Sequence, residues 1–256
     1  VRAGKKGAAM QQRPIRAVIF DLDNTLTDFL KAKDDAIRAA IDAMIDAGLP
    51  LDAATAHQRL YEIYRREGIE YQKVFNRFLQ TFAGEVDDRI LAAAVVAYRR
   101  ARDGSLVLYP HAKMVLNRLL RDGYGLAVVS DAPRFEAWLR LCSLGLQHTF
   151  DRVFTYDDTG VRKPDPLPFN LALRDLGVSP REAVMIGDWP TRDIRGAKDL
   201  GLHTVWARYG DKAVPYKDRS GAAAEELAAA EAEFVIDDLA QLLEVLDRLN
   251  AAGRES

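Results

Sequence analysis

Ala17-Val18-Ile19-Phe20-Asp21-Leu22-Asp23-Asn24-Thr25 is the stretch on which the reading of this chain turns. Its apolar first half reads as a fully buried strand, expected over 16–20. Two aspartates then stop it. Side chains two apart in extended backbone point the same way, so Asp21 and Asp23 face one spot at the carboxyl end of the strand. In open α/β sheets that edge is where ligands bind. Two like charges held close are costly unless a cation or a proton separates them, and this local cost is a functional signal.

The pattern on either side decides what surrounds that strand. Between 31 and 101 apolar residues recur at helical spacing: Ile37, Ile41, Met44 and Ile45, then Val74, Phe75, Phe78, Leu79 and Phe82, then Ile90, Leu91, Ala94, Val95 and Tyr98. Gly48-Leu49-Pro50 and Ala83-Gly84 divide them into separate helices of a bundle. After Tyr109-Pro110 the chain alternates. Helices are expected over 113–121, 134–144, 167–176 and 193–200, and each runs through a glycine (Gly123, Gly145, Gly177, Gly201) toward a short strand, at 126–129, 153–155, 183–186 and 204–206. A last strand at 234–236 precedes a helix over 238–249.

Alternation of this kind implies an α/β fold, a mostly parallel sheet with helices on both faces. The helical bundle interrupts it just after the Asp pair and is therefore an insertion, expected to lie over the carboxyl edge as a lid does. The expected division is a disordered leader over 1–13, with Met10 an alternative first residue, an α/β domain from 14–28 and 107–256, and a helical domain over 29–106. The segment 210–233 is rich in Ala, Glu and Lys and contains Pro215; it reads as a long loop plus an exposed helix without chemistry.

Bulk properties narrow the functional class. With 48% apolar residues in 256, the chain buries a full core. A net charge of −2, from 36 basic and 38 acidic residues, leaves no footprint for nucleic acid or an anionic membrane. No apolar run approaches the roughly 20 residues needed to span a bilayer. The single cysteine, Cys142, excludes an intrachain disulfide, and its setting Trp138-Leu139-Arg140-Leu141-Cys142 reads as that of a buried, inert thiol. The first residues lack the apolar stretch of a secretory signal, so a cytoplasmic protein is expected. His57, His111, His148 and His203 have no metal-ligand spacing and read as structural or surface residues. Tyr61, Arg65, Arg66, Lys73 and Arg77 read as a solvated helix face with no substrate role. Trp189 suits a pocket wall or core packing equally.

Four strands end in polar residues of complementary type: Asp21 and Asp23; Ser130-Asp131; Arg162-Lys163-Pro164 after the third; and Gly187-Asp188, with Asp193 five residues on. A parallel sheet brings all four ends to one edge. Carboxylates there suit a hard cation such as Mg²⁺, which is commonly shared with substrate phosphate. Ser130 donates to a phosphate oxygen and Lys163 neutralises it. Asp21 is placed to attack phosphorus and form an aspartyl-phosphate. Asp23 is placed to protonate the leaving alkoxide and then activate water. The calcium-loop alternative fails, because Leu26 and Ala32 stand where glycine and glutamate are needed.

These four motifs, in order, resemble those of the haloacid dehalogenase superfamily: Asp21-Leu22-Asp23-Asn24-Thr25, Ser130, Lys163 in Arg162-Lys163-Pro164-Asp165, and Gly187-Asp188-Trp189-Pro190-Thr191-Arg192-Asp193. The resemblance covers residues 15 to about 236. It implies a Rossmann-like core with a helical cap. It implies Asp21 as nucleophile and Asp23 as general acid/base, with Mg²⁺ held by the Asp21 carboxylate, the Asp23 backbone carbonyl and Asp188. Asp193 would support the metal site or orient Lys163. Ser130, Lys163 and backbone N–H groups near Leu22 and Asp131 would grip the phosphate. Dehalogenases of the family lack the second Asp, so Asp23 argues for phosphate esters. Ser130-Asp131-Ala132-Pro133 resembles the small-metabolite phosphatase branch.

The expected function is Mg²⁺-dependent hydrolysis of a small phosphorylated metabolite, such as a sugar phosphate, by a monomer or homodimer. A sugar-phosphate mutase or phosphotransferase on the same scaffold is the nearest alternative. A phospho-receiver signalling domain is the rival from another class; it is about half this length and carries its phosphorylated Asp on a later strand.

Overall fold

The computed structural model describes residues 14–82, 84–211, 229 and 231–253. The expected leader and nearly all of the 210–233 segment lie outside them. The described residues divide into two compact units, one built from 14–28, 108–211 and the described residues after 228, the other from 29–107.

Six strands of the first unit form one parallel sheet in the order β3-β2-β1-β4-β5-β6. They are β1 (Ala17–Phe20), β2 (Gly125–Val129), β3 (Arg152–Phe154), β4 (Ala183–Gly187), β5 (His203–Ala207) and β6 (Phe234–Ile236). The α/β expectation holds. The first strand lies at the centre because its apolar residues serve both faces. Val18 and Phe20 pack with Leu126, Val128, Val184 and Ile186 on one side. Ala17 and Ile19 pack with Ala127, Val129, Ala183 and Met185 on the other. The chain builds outward to β3 on one flank and to β6 on the other, so the order reverses at β1, the switch point where α/β sheets bind ligands.

The α-helices of this unit include, among the described residues, α5 (Ala112–Arg121), α6 (Arg134–Ser143), α7 (Tyr156–Thr159), α8 (Pro166–Leu176), α9 (Arg195–Asp199) and α10 (Gln241–Ala252). Two departures from the sequence reading have local causes. The helix expected to start at Asp193 is a π turn over Pro190–Ile194 leading into α9. Asp193 faces back, accepting the Trp189 N–H at 3.0 Å. Cys142 is exposed, not buried. The buried positions of α6 are Ala137, Arg140 and Leu141, and at about 100° per residue Cys142 turns away from that face.

The second unit holds four helices among the described residues: α1 (Phe29–Asp46), α2 (Ala53–Glu67), α3 (Val74–Phe82) and α4 (Asp88–Ser105). Their apolar stripes meet in one core around Ile37, Ile41, Met44, Leu60, Phe78 and Leu79. Asp52 and Asp87 cap α2 and α4 through their side chains. Arg65, Arg66 and Arg77 are exposed, whereas Lys73 precedes α3. Tyr61 departs from the solvated-face reading: it is buried and donates to Asp34 at 2.7 Å. Lys33, also buried, lies over the rings of Tyr64 and Tyr98, 4.9 and 5.3 Å from their centroids.

Candidate active site

Register sets the site. Phe20 aligns with Val128 on one neighbour and Ile186 on the other. Asp21 is therefore level with Val129 and Gly187, and Ser130 and Asp188 follow one residue later on the same edge. The Asp21 N–H still donates to Ile186 O at 2.9 Å, and Ser130 N–H donates to Phe154 O at 2.9 Å. Beyond Asp21 the chain turns sharply: Asn24 adopts φ 64°, a left-handed conformation that asparagine tolerates.

Asp21, Asp188 and Asp193 come together. Each offers a carboxylate oxygen, these atoms all lie within 4.8 Å of one another, and all three residues are buried. Lys163 is buried with them, its Nζ 2.5 Å from Asp21 Oδ1 and 2.6 Å from Asp193 Oδ1. One ammonium thus pairs with two of the three carboxylates. Burial pushes the Asp21 carboxyl up despite the charge of Lys163, with Asp23 and Asp131 adding to the rise. Burial likewise pushes Asp193 up to about 7, against Lys163. Burial works against the ammonium of Lys163, but the charges of Asp193 and Asp21 outweigh it and hold the group above its ordinary range. A crowded, oxygen-only set of buried carboxylates is chemically suited to a hard divalent cation, which would supply the missing positive charge. These three residues could hold a metal ion.

The remaining expected residues are distributed around this cluster. Ser130 is buried, and its Oγ accepts the Ala132 N–H at 3.2 Å, which leaves its own hydrogen to donate. Leu22 is buried, and its carbonyl accepts from Leu26 N at 3.0 Å. Asp131 ties two motifs together: its Oδ1 accepts from Lys163 N at 2.9 Å and its Oδ2 from Arg192 Nη1 at 3.0 Å. The Arg192 guanidinium in turn covers the half-buried Trp189, 3.8 Å from its ring centroid. Asp23 is not part of the carboxylate cluster. Its Oδ2 pairs with Arg140 Nη1 of α6 at 3.1 Å. His57, His111 and His203 pair with Asp34, Asp238 and Glu233, and no histidine joins a metal-type cluster among the described residues.

Sequence reading missed four contributors. Thr25 Oγ1 lies 3.2 Å from Asp21 Oδ2 and 3.5 Å from Asp188 Oδ1, placing one buried hydroxyl between two carboxylates. Its position within the first motif was the available signal. Arg140 could have been found as a charged residue at a core position of an amphipathic helix. Tyr209 and Gly210 form a clamp after β5: Tyr209 OH donates to Thr25 O at 2.7 Å, and a Cβ at Gly210 would stand 1.8 Å from Asn24 O and 2.7 Å from Asp188 Cβ. No sequence signal links 24 with 210.

The family of haloacid dehalogenase-like hydrolases matches residues 15–201. A glyceraldehyde 3-phosphate phosphatase of Pyrococcus furiosus is 36% identical over 246 residues, 95% of this chain and 98% of that protein. A phosphoserine phosphatase of Thermus thermophilus is 35% identical over 226 residues, 77% of this chain and 90% of that one. The crystal structure of a HAD phosphatase from Thermococcus onnurineus superposes with a TM-score of 0.63 at 26% identity, covering 91% of this chain and 98% of its own. No helix among the described residues is long and apolar enough to cross a membrane. The chain belongs to the haloacid dehalogenase-like hydrolases and is an enzyme of the phosphoric monoester hydrolase class.

Proposed function

We propose that the protein is a Mg²⁺-dependent phosphatase of a small phosphorylated metabolite that works through a phosphorylated Asp21. The observation that carries this reading is the buried group of Asp21, Asp188 and Asp193 with Lys163 bridging two of its members. Mg²⁺, held by the Asp21 and Asp188 carboxylates and the Asp23 backbone carbonyl, would neutralise charge on the substrate phosphate. Asp193, which also pairs with Lys163, keeps the ammonium aimed at Asp21. Ser130 and Lys163, with backbone N–H groups at Leu22 and Asp131, orient the phosphate, since phosphoryl transfer needs chiefly positioning and charge neutralisation. Asp21 attacks phosphorus; Asp23 donates a proton to the departing oxygen and then takes one from the attacking water. On this reading residues 29–106 are a cap domain inserted into a catalytic domain of 14–28 and 107–256. The lone cysteine accords with a reducing cytoplasm.

The names of the relatives favour small metabolites, and glyceraldehyde 3-phosphate, phosphoserine and phosphoglycolate head the panel to test. The experiment is Mg²⁺-dependent release of inorganic phosphate across that panel and a set of sugar phosphates. Phosphate release from one or more esters without an isomerised product supports hydrolysis. Isomerised product without net phosphate release would replace it with mutase chemistry.

A further inference from the structure

Asp23 and Arg140 form an ion pair whose burial is lopsided. The Arg140 side chain is 7% exposed and that of Asp23 is 19% exposed, with Nη1 and Oδ2 3.1 Å apart. Arg140 occupies a core-facing position of α6, beside Ala137 and Leu141, where an apolar residue would ordinarily stand. A buried guanidinium is tolerated only when paired, and the 3.1 Å contact draws the Asp23 carboxylate toward α6. Asp23 lies beyond the end of β1, bridges to Thr27 and is followed by the turn at Asn24. The pair ties its side chain to α6, a rigid element.

We infer that Arg140 is a positioning residue that holds the Asp23 carboxyl in its proton-transfer geometry. The inference rests on the reading of Asp23 as general acid and base. A general acid must stay within hydrogen-bond reach of the oxygen it protonates, and that precision comes from supporting groups locked by packing. In the step served, the Asp21 oxygen–phosphorus bond forms as the ester oxygen–phosphorus bond breaks. The bonding pair stays on the ester oxygen, and the Asp23 proton passes to it. Arg140 touches neither substrate nor reacting atoms; it acts through Asp23.

Leaving groups test this without recourse to a pH profile. An alkyl phosphate needs a proton on its departing alkoxide, whereas the nitrophenolate of p-nitrophenyl phosphate departs without one. We would measure kcat/KM for both, with Mg²⁺, in the wild type, Asp23→Asn, Arg140→Gln, Arg140→Lys and the Asp23→Asn/Arg140→Gln double variant. Asp23→Asn should lower kcat/KM for the alkyl ester by about 10²- to 10⁴-fold, the usual worth of general acid catalysis, and for the aryl ester far less. Arg140→Gln should show the same selectivity at about tenfold or more, Arg140→Lys should recover part of it, and Arg140→Gln should cost less than about twofold once Asp23 is Asn. Equal loss on both esters, or an undiminished Arg140→Gln loss in the Asp23→Asn background, would overturn the inference and reduce the pair to a structural strut. A non-selective Asp23→Asn would instead remove the general-acid reading itself, and the inference with it. If Arg140→Gln alone fails to fold, Arg140→Lys decides by the same criterion: selective loss supports the inference and equal loss overturns it.

Discussion

Gly187 exists as glycine because Asp193 lies against it. A Cβ at 187 would stand 2.3 Å from both Cγ and Oδ2 of Asp193. The last residue of β4 thus has no room for a side chain, and the Asp193 carboxylate crosses that space to reach Lys163 and the Trp189 N–H. Gly187→Ala is expected to push Asp193 off Lys163. It should lower kcat by about 10²-fold, the scale of an ångström-sized misplacement in a catalytic group, and cost about 1–3 kcal/mol of stability through overpacking. Steady-state kinetics with thermal melting checks both. Wild-type kcat in this variant would show that the Asp193–Lys163 contact is dispensable.

Removing divalent metal should abolish turnover, and adding Mg²⁺ should restore it. Metal binding should also raise the melting temperature, since a ligand at about 100 times its Kd stabilises by about 2.7 kcal/mol. Asp188→Asn should blunt that rise, because Asp188 is one of the three grouped carboxylates. Full activity after EDTA treatment would contradict the metal assignment.

The helical unit carries its own pH signature. Burial alone would raise Asp34, but hydrogen bonds from His57, Tyr61 and Arg38 outweigh it and hold the carboxyl below its ordinary 3.8. A depressed folded-state value means the unfolded chain takes up this proton first. The stabilisation is therefore complete above about pH 4 to 5 and is lost as the pH falls through 3.8 and below. Melting curves from pH 7 to pH 3 should show a shallower acid loss in Asp34→Asn than in the wild type. Parallel curves would show that Asp34 contributes nothing to acid stability.

How much of this was legible in advance follows from the physics of each feature. The central strand and the parallel sheet were readable because apolar runs alternate with helices closed by glycines, and Gly123, Gly145, Gly177 and Gly201 do take positive φ. The polar strand ends were readable because register in a parallel sheet carries them to one edge. Long-range pairings were not. Asp23 with Arg140, Asp131 with Arg192 and Tyr209 with Thr25 join residues 117, 61 and 184 positions apart, and no local pattern encodes them. The exposure of Cys142 is set by its angle on α6, where Arg140 and Leu141 take the core face, and the apolar composition around it does not reveal that angle.

On the proposed mechanism Asp21 carries the phosphoryl group in the reaction cycle. Rapid quenching of a Mg²⁺-supported turnover, borohydride reduction of any acyl phosphate and peptide mass analysis would test it most directly. The expected result is reduction of Asp21 to homoserine in the wild type, dependent on substrate, with neither modification nor turnover in Asp21→Asn. Phosphate release with Asp21 unmodified, or a phosphoryl group trapped on a different residue, would contradict the account.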